Sequence, residues 1–158
     1  MASAVELLGW MKGFLDRNDY KYEEVERENR ISYIRTIFTL NCKLKETTLY
    51  VFFYDGFYKV SATITHEADD SNISQMAEFI VRANDGLNFG KFTMDFSDGA
   101  IEFDLALDCE DREFLSDSLI SSTFSMPLNA LEKYGDGLMA VLFAFQTPEQ
   151  AVAAAEAE

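Results

Sequence analysis

Apolar side chains recur at helical spacing in three parts of the chain, and each predicts an amphipathic helix. The first stripe runs from Ala4 to Leu15. The second follows Asp69 and Asp70, where Asn72 with Gln75 suggests a capping box and Gly86 a left-handed stop. The third runs from Leu115 to Phe145, and Pro127 within it predicts either a kink or the first turn of a new helix.

β-branched and aromatic residues predict five strands, at residues 31–43, 47–54, 57–66, 87–95 and 100–108. Asp55-Gly56 is the residue pair preferred by a two-residue type I′ turn, in which both central residues have positive φ. The strand before it is apolar on both faces, which is typical of a strand covered on both sides. The last strand alternates, and this predicts Glu102, Asp104 and Asp108 on a face in water.

The element order is α-β-β-β-α-β-β-α, which predicts an α+β domain with helices packed on a five-stranded antiparallel sheet. The charged residues 21–30 fit a solvated connection or a frayed strand start. We expect a single domain over residues 1–146, followed by a short or frayed C-terminal tail over 147–158. Three helices cover mainly one face of such a sheet, so the other face requires a further cover, for which a second subunit is a candidate.

Composition narrows the classes of partner. The 158 residues include 13 Lys and Arg against 28 Asp and Glu, a net charge of −15, while 48% hydrophobic and 14% aromatic content excludes a disordered chain. Phosphates are repelled by such a chain, so we expect no nucleic-acid partner and no membrane surface. Cys42 and Cys109 are too far apart for a CxxC pattern, and no signal peptide is visible. They fit free thiols in the cytoplasm, with a single disulfide as the less favoured alternative.

Sequence motifs of catalysis are missing, so we expect no catalytic, cofactor-binding or metal-ligating residues. His66 is the single histidine, no GxSxG surrounds a serine, and no glycine-rich phosphate loop occurs. Residues 95–117 carry nine carboxylates against Arg112 alone. That run fits a solvated face best, with a contact to a basic protein or a cation site as the alternatives, although its spacing matches no calcium loop.

Aromatic residues concentrate around the first predicted hairpin. Core packing accounts for many of them, but an aromatic patch with a polar rim is also how protein interfaces look. The candidate protein-binding surface consists of Tyr33, Tyr50, Phe52, Tyr54, Phe57 and Tyr58.

Several segments in the second half of the chain resemble the YbjN family, which shares the type III secretion chaperone fold. The resemblance rests on residues 79–84 (FIVRAN), 87–95 (LNFGKFTMD), 98–103 (DGAIEF) and 147–151 (TPEQA). One departure is Phe143-Ala144-Phe145, where the family pattern leads us to expect a glycine. Proteins of this family are described as bacterial sensory-transduction or regulatory proteins without an established reaction, and the related chaperones are acidic homodimers that hold an extended protein segment.

The resemblance implies a binding role, a homodimer and no cofactor. We therefore expect a non-enzymatic protein-interaction module, either a regulator or a chaperone-like adaptor, whose partners are a second copy and a protein or peptide segment. The alternative is a small-molecule or cation-binding sensor domain. An enzyme is the least favoured class, because one histidine without a nucleophile motif offers little catalytic apparatus.

Overall fold

The structure is a computed structural model that describes residues 1–157. It contains four helices and six strands. In chain order these are α1 (Ala4–Arg17), β1 (Glu23–Arg27), β2 (Arg30–Thr39), β3 (Glu46–Tyr54), β4 (Phe57–Thr63), α2 (Ile73–Asp85), β5 (Lys91–Met94), β6 (Ile101–Asp108), α3 (Asp117–Leu142) and α4 (Pro148–Glu156). Within these residues, no helix combines the length and the apolar character needed to cross a bilayer.

The six strands form one antiparallel sheet in the order β1-β2-β3-β4-β6-β5. The prediction of an α+β fold is confirmed, but the prediction of five strands is wrong. The additional strand is β1, which lies in the charged stretch that fits a solvated connection equally well. Its pairing with β2 places Glu23 beside Arg35 and Val25 beside Tyr33. β1 is an edge strand, and edge strands commonly carry charged side chains, so this strand forms without a run of apolar residues.

Alternation along β3 shows which face of the sheet is covered. Thr47, Leu49, Val51 and Phe53 are buried, whereas the residues between them keep partial exposure. The buried side chains face the helices, because Phe38 of β2, which pairs with Thr47, has its ring centroid 6.2 Å from that of Phe124 of α3. The hydrophobic core therefore lies between one face of the sheet and the helices, as a two-layer domain requires.

The ends of α2 differ from the sequence prediction. Asn72 makes no side-chain cap to the backbone of the helix, so the expected capping box with Gln75 is wrong. Its amide instead donates to the carbonyl oxygen of Leu142 at 3.1 Å, and its Oδ1 accepts from the N–H of Asp69 at 2.7 Å. Gly86 has φ −88°, so the helix does not end in a left-handed glycine.

The C-terminal region contains more regular structure than expected. Pro127 lies inside α3, which runs as one helix rather than beginning anew at that residue. Residues Pro148–Glu156, expected within a short or frayed tail, form α4. Thr147 caps α4 through its side chain to the N–H of Gln150, and Ala151 and Val152 are buried. A capped helix with a buried face is part of the packed structure.

Asp55 and Gly56 do form the two-residue turn between β3 and β4, but its type is not I′. Gly56 has φ +86°, whereas Asp55 does not have positive φ. The turn is held from outside, because Asp55 Oδ1 accepts from the N–H of Ala4 at 2.9 Å and the N–H of Gly56 donates to the carbonyl oxygen of Ala2 at 2.8 Å. These contacts fix the hairpin that carries five of the six residues of the candidate protein-binding surface, all except Tyr33.

Candidate interaction surface

The face of the sheet opposite the helices carries an aromatic cluster. Strand register puts Tyr33 of β2 on this face together with Tyr50 and Phe52 of β3. The Tyr33 ring centroid lies 5.9 Å from that of Tyr50 and 5.4 Å from that of Phe52. Within residues 1–157 no helix covers these side chains, so their partial burial comes from one another and from their neighbours on the sheet. We call this side of the sheet the open face.

Two further aromatic residues extend the cluster toward the hairpin turn. Tyr54 and Phe57 pair across the turn, and their rings stack with centroids 4.6 Å apart. Both remain exposed, at 45% and 39% of their surface. The open face thus holds five of the six residues of the candidate surface.

Tyr58 is the exception and lies in the core. Its register partner is Phe53, which points to the helices, and the Tyr58 side chain is only 1% exposed. The hydroxyl group shares a hydrogen bond with Thr123 Oγ1 of α3 at 2.9 Å. Burial raises the pKa of the Tyr58 phenol. Tyr58 therefore joins the sheet to α3 and is not available to a partner on the open face.

The structure adds residues to this surface that the aromatic pattern did not identify. Ile37 lies on the open face of β2 and is 54% exposed. Arg27 places its guanidinium carbon 5.2 Å from the Tyr33 ring centroid, a distance suited to a cation–π contact. The alternation of β2 from Tyr33 onward is a sequence signal that assigns Ile37 to this face.

Polar residues occupy the other half of the open face, on β4 and β6. Asp104 was expected in water, but it is only 9% exposed, so that prediction is wrong. Its Oδ2 lies 3.4 Å from Lys59 Nζ, and its buried Oδ1 has no hydrogen-bond partner. Nearby, Ser61 Oγ donates to Glu102 Oε2 at 2.9 Å. A paired lysine partly offsets the cost of burying this carboxylate.

Charges on the open face nearly cancel, in contrast to the rest of the chain. Cross-strand pairing and alternation place three basic and five acidic side chains there. The Arg27 guanidinium beside the Tyr33 ring adds a fourth basic group, which gives a balance of −1 against −15 for the whole chain. These are Arg27, Arg35, Lys59 and Lys91 together with Glu23, Glu46, Glu102, Asp104 and Asp108. The remaining acidity therefore lies on helices, loops and strand ends away from this surface.

Groups with nucleophilic or ligating chemistry are dispersed. His66 Nδ1 lies 3.2 Å from Thr65 Oγ1, and its ring meets Phe143 edge-on with centroids 6.0 Å apart. Cys42 and Cys109 are free and buried, and burial raises the pKa of each thiol. Among residues 1–157, no three His, Cys, Asp or Glu side chains gather at a distance suited to a metal ion.

Comparison with known proteins identifies the fold. No family model matches the sequence, and no curated protein matches it either. Among solved structures, the chain is similar to YbjN from E. coli, described as a candidate transcription regulator. The two share 12% sequence identity at a TM-score of 0.58, and the match covers 87% of this chain and 90% of the other. The protein has a YbjN-like α+β fold.

Proposed function

We propose that this protein is a non-enzymatic protein-interaction module that acts as a homodimer, in the role of a regulator or chaperone-like adaptor. The observation that carries the proposal is the uncovered cluster of Tyr33, Tyr50 and Phe52 on the open face. Aromatic side chains are enriched in interfaces because each buries a large apolar area at low entropic cost. Covering such an aromatic sheet face with a second surface lowers the free energy, because apolar area is removed from water.

A second copy of the chain is the occupant that the charge distribution favours. Two chains of −15 repel one another, and the repulsion is smallest where each presents a nearly neutral surface. The open face has a balance of −1, and two of its basic side chains already pair within the chain, Arg35 with Glu23 and Lys59 with Asp104. Contact through this face brings few uncompensated charges together.

The size of the open face also suits a dimer. Six strands at a spacing of about 4.8 Å span about 24 Å, and the seven residues of β4 extend about 23 Å. The projected area of the face is therefore about 550 Å². Its accessible area is larger because side chains protrude from the sheet, and a stable interface typically buries about 800 Å² per partner. Sheets that pack face to face in this way lie about 10 Å apart.

A role without catalysis fits the remaining chemistry. Neither buried thiol is poised as a thiolate, and His66 lies beside Thr65 and Phe143 rather than a nucleophile. YbjN, which has a similar fold, is described as a candidate transcription regulator. Free cysteines agree with the reducing cytoplasm, which we propose as the location.

Sedimentation equilibrium of matched variants tests the interface. Phe52→Lys places a charge in the aromatic cluster, and Tyr50→Lys is a second variant of the same kind. Val81→Lys, at a side chain 70% exposed on α2, adds the same charge away from the open face. We expect the wild type and Val81→Lys to dimerise alike, while each open-face variant raises the dimer Kd about a hundredfold, as for a central interface residue. Equal weakening by Val81→Lys would contradict the proposed interface, and so would a wild-type monomer.

A sensor domain remains the second candidate because the structure has an open groove between helices. The groove lies between α3 and α4 and measures about 940 Å³, within the range of small-molecule sites. It lies on the helical side of the molecule and does not involve the open face. Binding there is compatible with dimerisation through the sheet.

A further inference from the structure

The connection between α3 and α4 is short and contains a strained residue. It consists of residues 143–146, which we call the hinge, and it ends at Thr147, the N-cap of α4. Ala144 within it has φ +60°, a backbone conformation that is disfavoured for any residue with a Cβ atom. On either side of Ala144, Phe143 and Phe145 are 55% and 82% exposed. The hinge therefore combines backbone strain with apolar surface that stays in water.

The helix ends on both sides of the hinge are held by groups outside it. At the end of α3, the carbonyl oxygen of Leu142 accepts from the side-chain amide of Asn72 at 3.1 Å. At the start of α4, Thr147 and Gln150 cap the helix reciprocally, because the side chain of each accepts from the N–H of the other. A change of conformation within the hinge therefore leaves these two helix ends satisfied.

α4 is a short helix that depends on the surface beneath it. Its nine residues are fewer than the roughly 12–15 that a free helix needs to be stable in water. It packs on α2 and α3 through three small buried side chains, Pro148, Ala151 and Val152. Glu156 adds the hydrogen bond that it accepts from Tyr134 of α3 at 2.7 Å. A second copy of the chain offers the same surface, and α4 makes identical contacts on it.

We propose that two copies of the chain exchange α4, so that each α4 packs on α2 and α3 of the other copy. The exchange repeats every contact between α4 and the surface beneath it, so the difference in free energy lies in the hinge. Short connections under strain favour such an exchange, because opening releases the strain. Here opening frees Ala144 from positive φ and lets Phe143 and Phe145 pack against those of the other copy.

Three costs oppose the exchange. The N–H groups of residues 144–146 lose their hydrogen bonds to carbonyl oxygens of α3. Association costs entropy, and two chains of −15 repel one another. α4 must also leave its own surface first, so the exchanged dimer forms slowly and at high protein concentration. The inference does not rest on the proposed function, because α4 packs on helices and the open face lies on the other side of the sheet.

A disulfide between two chains tests the exchange. A Cβ atom at Gly137 of α3 would lie 3.4 Å from the Cβ atom of Ala151 of α4, close to the separation of about 3.5–4.5 Å found in disulfides. Gly137→Cys and Ala151→Cys are made in separate chains, both with Cys42→Ala and Cys109→Ala, and the two proteins are mixed, equilibrated at high concentration and oxidised. We expect a covalent dimer with one chain of each kind, because an exchanged α4 brings the two thiols together.

Two controls separate exchange from other contacts. Ala153→Cys in place of Ala151→Cys puts the thiol at an exposed position of the same helix, so this pair reports random collision. Phe52→Lys in both chains of the test pair disrupts the open face, and we expect the yield of covalent dimer to stay the same. A test pair that gives no more covalent dimer than the collision control would overturn the exchange. So would a yield that falls to that control level with Phe52→Lys.

Hinge variants give a second test that needs no cysteine. Ala144→Gly removes the strain of the closed form, whereas Ala144→Val increases it, because β-branched residues are poorly suited to positive φ. In the Phe52→Lys background, sedimentation equilibrium should show the exchanged dimer weakened about thirtyfold by Ala144→Gly, since a dimer contains two hinges. Ala144→Val should strengthen it. Equal dimer Kd values in the three proteins, or a tighter dimer with Ala144→Gly, would overturn the proposal.

Discussion

Ala144 adopts a backbone conformation that ordinarily belongs to glycine. It follows the end of α3 in a Schellman arrangement, in which the N–H of Phe145 donates to the carbonyl oxygen of Ala140 at 2.8 Å and the N–H of Ala144 to that of Val141 at 3.2 Å. A side chain at φ +60° costs about 1–2 kcal/mol relative to the ordinary helical region. Ala144 lies within the segment Phe143-Ala144-Phe145, where the YbjN resemblance leads us to expect a glycine.

Replacing Ala144 by glycine should therefore stabilise the protein. We expect Ala144→Gly to raise the free energy of unfolding by about 1 kcal/mol, because glycine adopts positive φ without steric strain. Urea unfolding at one fixed protein concentration measures the change. Ala154→Gly, within α4, is the control and should lower stability by about 0.5–1 kcal/mol. A loss of stability in Ala144→Gly like that of the control would show that the left-handed turn is not under strain.

Phe57 and Tyr58 are neighbours in the chain but face opposite sides of the sheet. A two-residue turn at Asp55 and Gly56 pairs Tyr54 with Phe57 and Phe53 with Tyr58. Successive side chains of a strand alternate, so this register was available from the sequence once the turn had been located. The candidate surface grouped the aromatics by residue type and by their position around the hairpin without using this alternation, and for that reason it included Tyr58.

At the scale of elements, two buried tyrosines connect α3 to its neighbours, one to the sheet and one to α4. Tyr58 of β4 bonds to Thr123 of α3, and Tyr134 of α3 donates to Glu156 of α4 at 2.7 Å. Burial raises the pKa of both phenols, and the bond to Glu156 raises that of Tyr134 further. In the unfolded chain a tyrosine ionises near pH 10. Above that pH the unfolded state loses these two protons while the folded state retains them.

The free energy of unfolding should therefore fall at high pH. The contribution of both phenols to stability is fully present below about pH 10 and declines as the pH rises further, by up to about 3 kcal/mol per pH unit for two protons. Urea unfolding between about pH 9 and pH 11 measures the slope. The double variant Tyr58→Phe/Tyr134→Phe should show a smaller decline over the same range. Equal slopes in both proteins would mean that the phenols are not protected in the folded state.

Elements with a regular apolar pattern were predictable, and elements fixed by distant contacts were not. The stripes of α1, α2 and α3 and the hairpin of β3 and β4 follow from periodicity and turn residues. β1 is too charged to be identified alone, since its pairing with β2 defines it. The start of α2 also depends on a remote group, because the amide of Asn72 donates to Leu142 instead of capping its own helix. Such long-range bonds leave no local signal in the sequence.

At the scale of the whole molecule, acidity and apolar surface are separated. The helical side and the loops carry most of the net charge of −15, whereas the open face carries about −1 around its aromatic cluster. Two molecules of this chain repel each other in most orientations because both are strongly acidic. The repulsion is weakest when their nearly neutral open faces meet. From the sequence we expect the second face of the sheet to need a further cover. The charge balance of that face could not be predicted without the strand register, which assigns each charged residue to one side of the sheet.

Salt dependence of the dimer is the most direct test of this account. In the proposed dimer the apolar face outweighs the repulsion of two −15 chains, and salt shortens the Debye length from about 30 Å at 0.01 M to about 8 Å at 0.15 M. Sedimentation equilibrium over this range is expected to show a dimer whose Kd falls as salt is added. A monomer at every concentration, or a dimer that dissociates as salt rises, would contradict dimerisation through the open face.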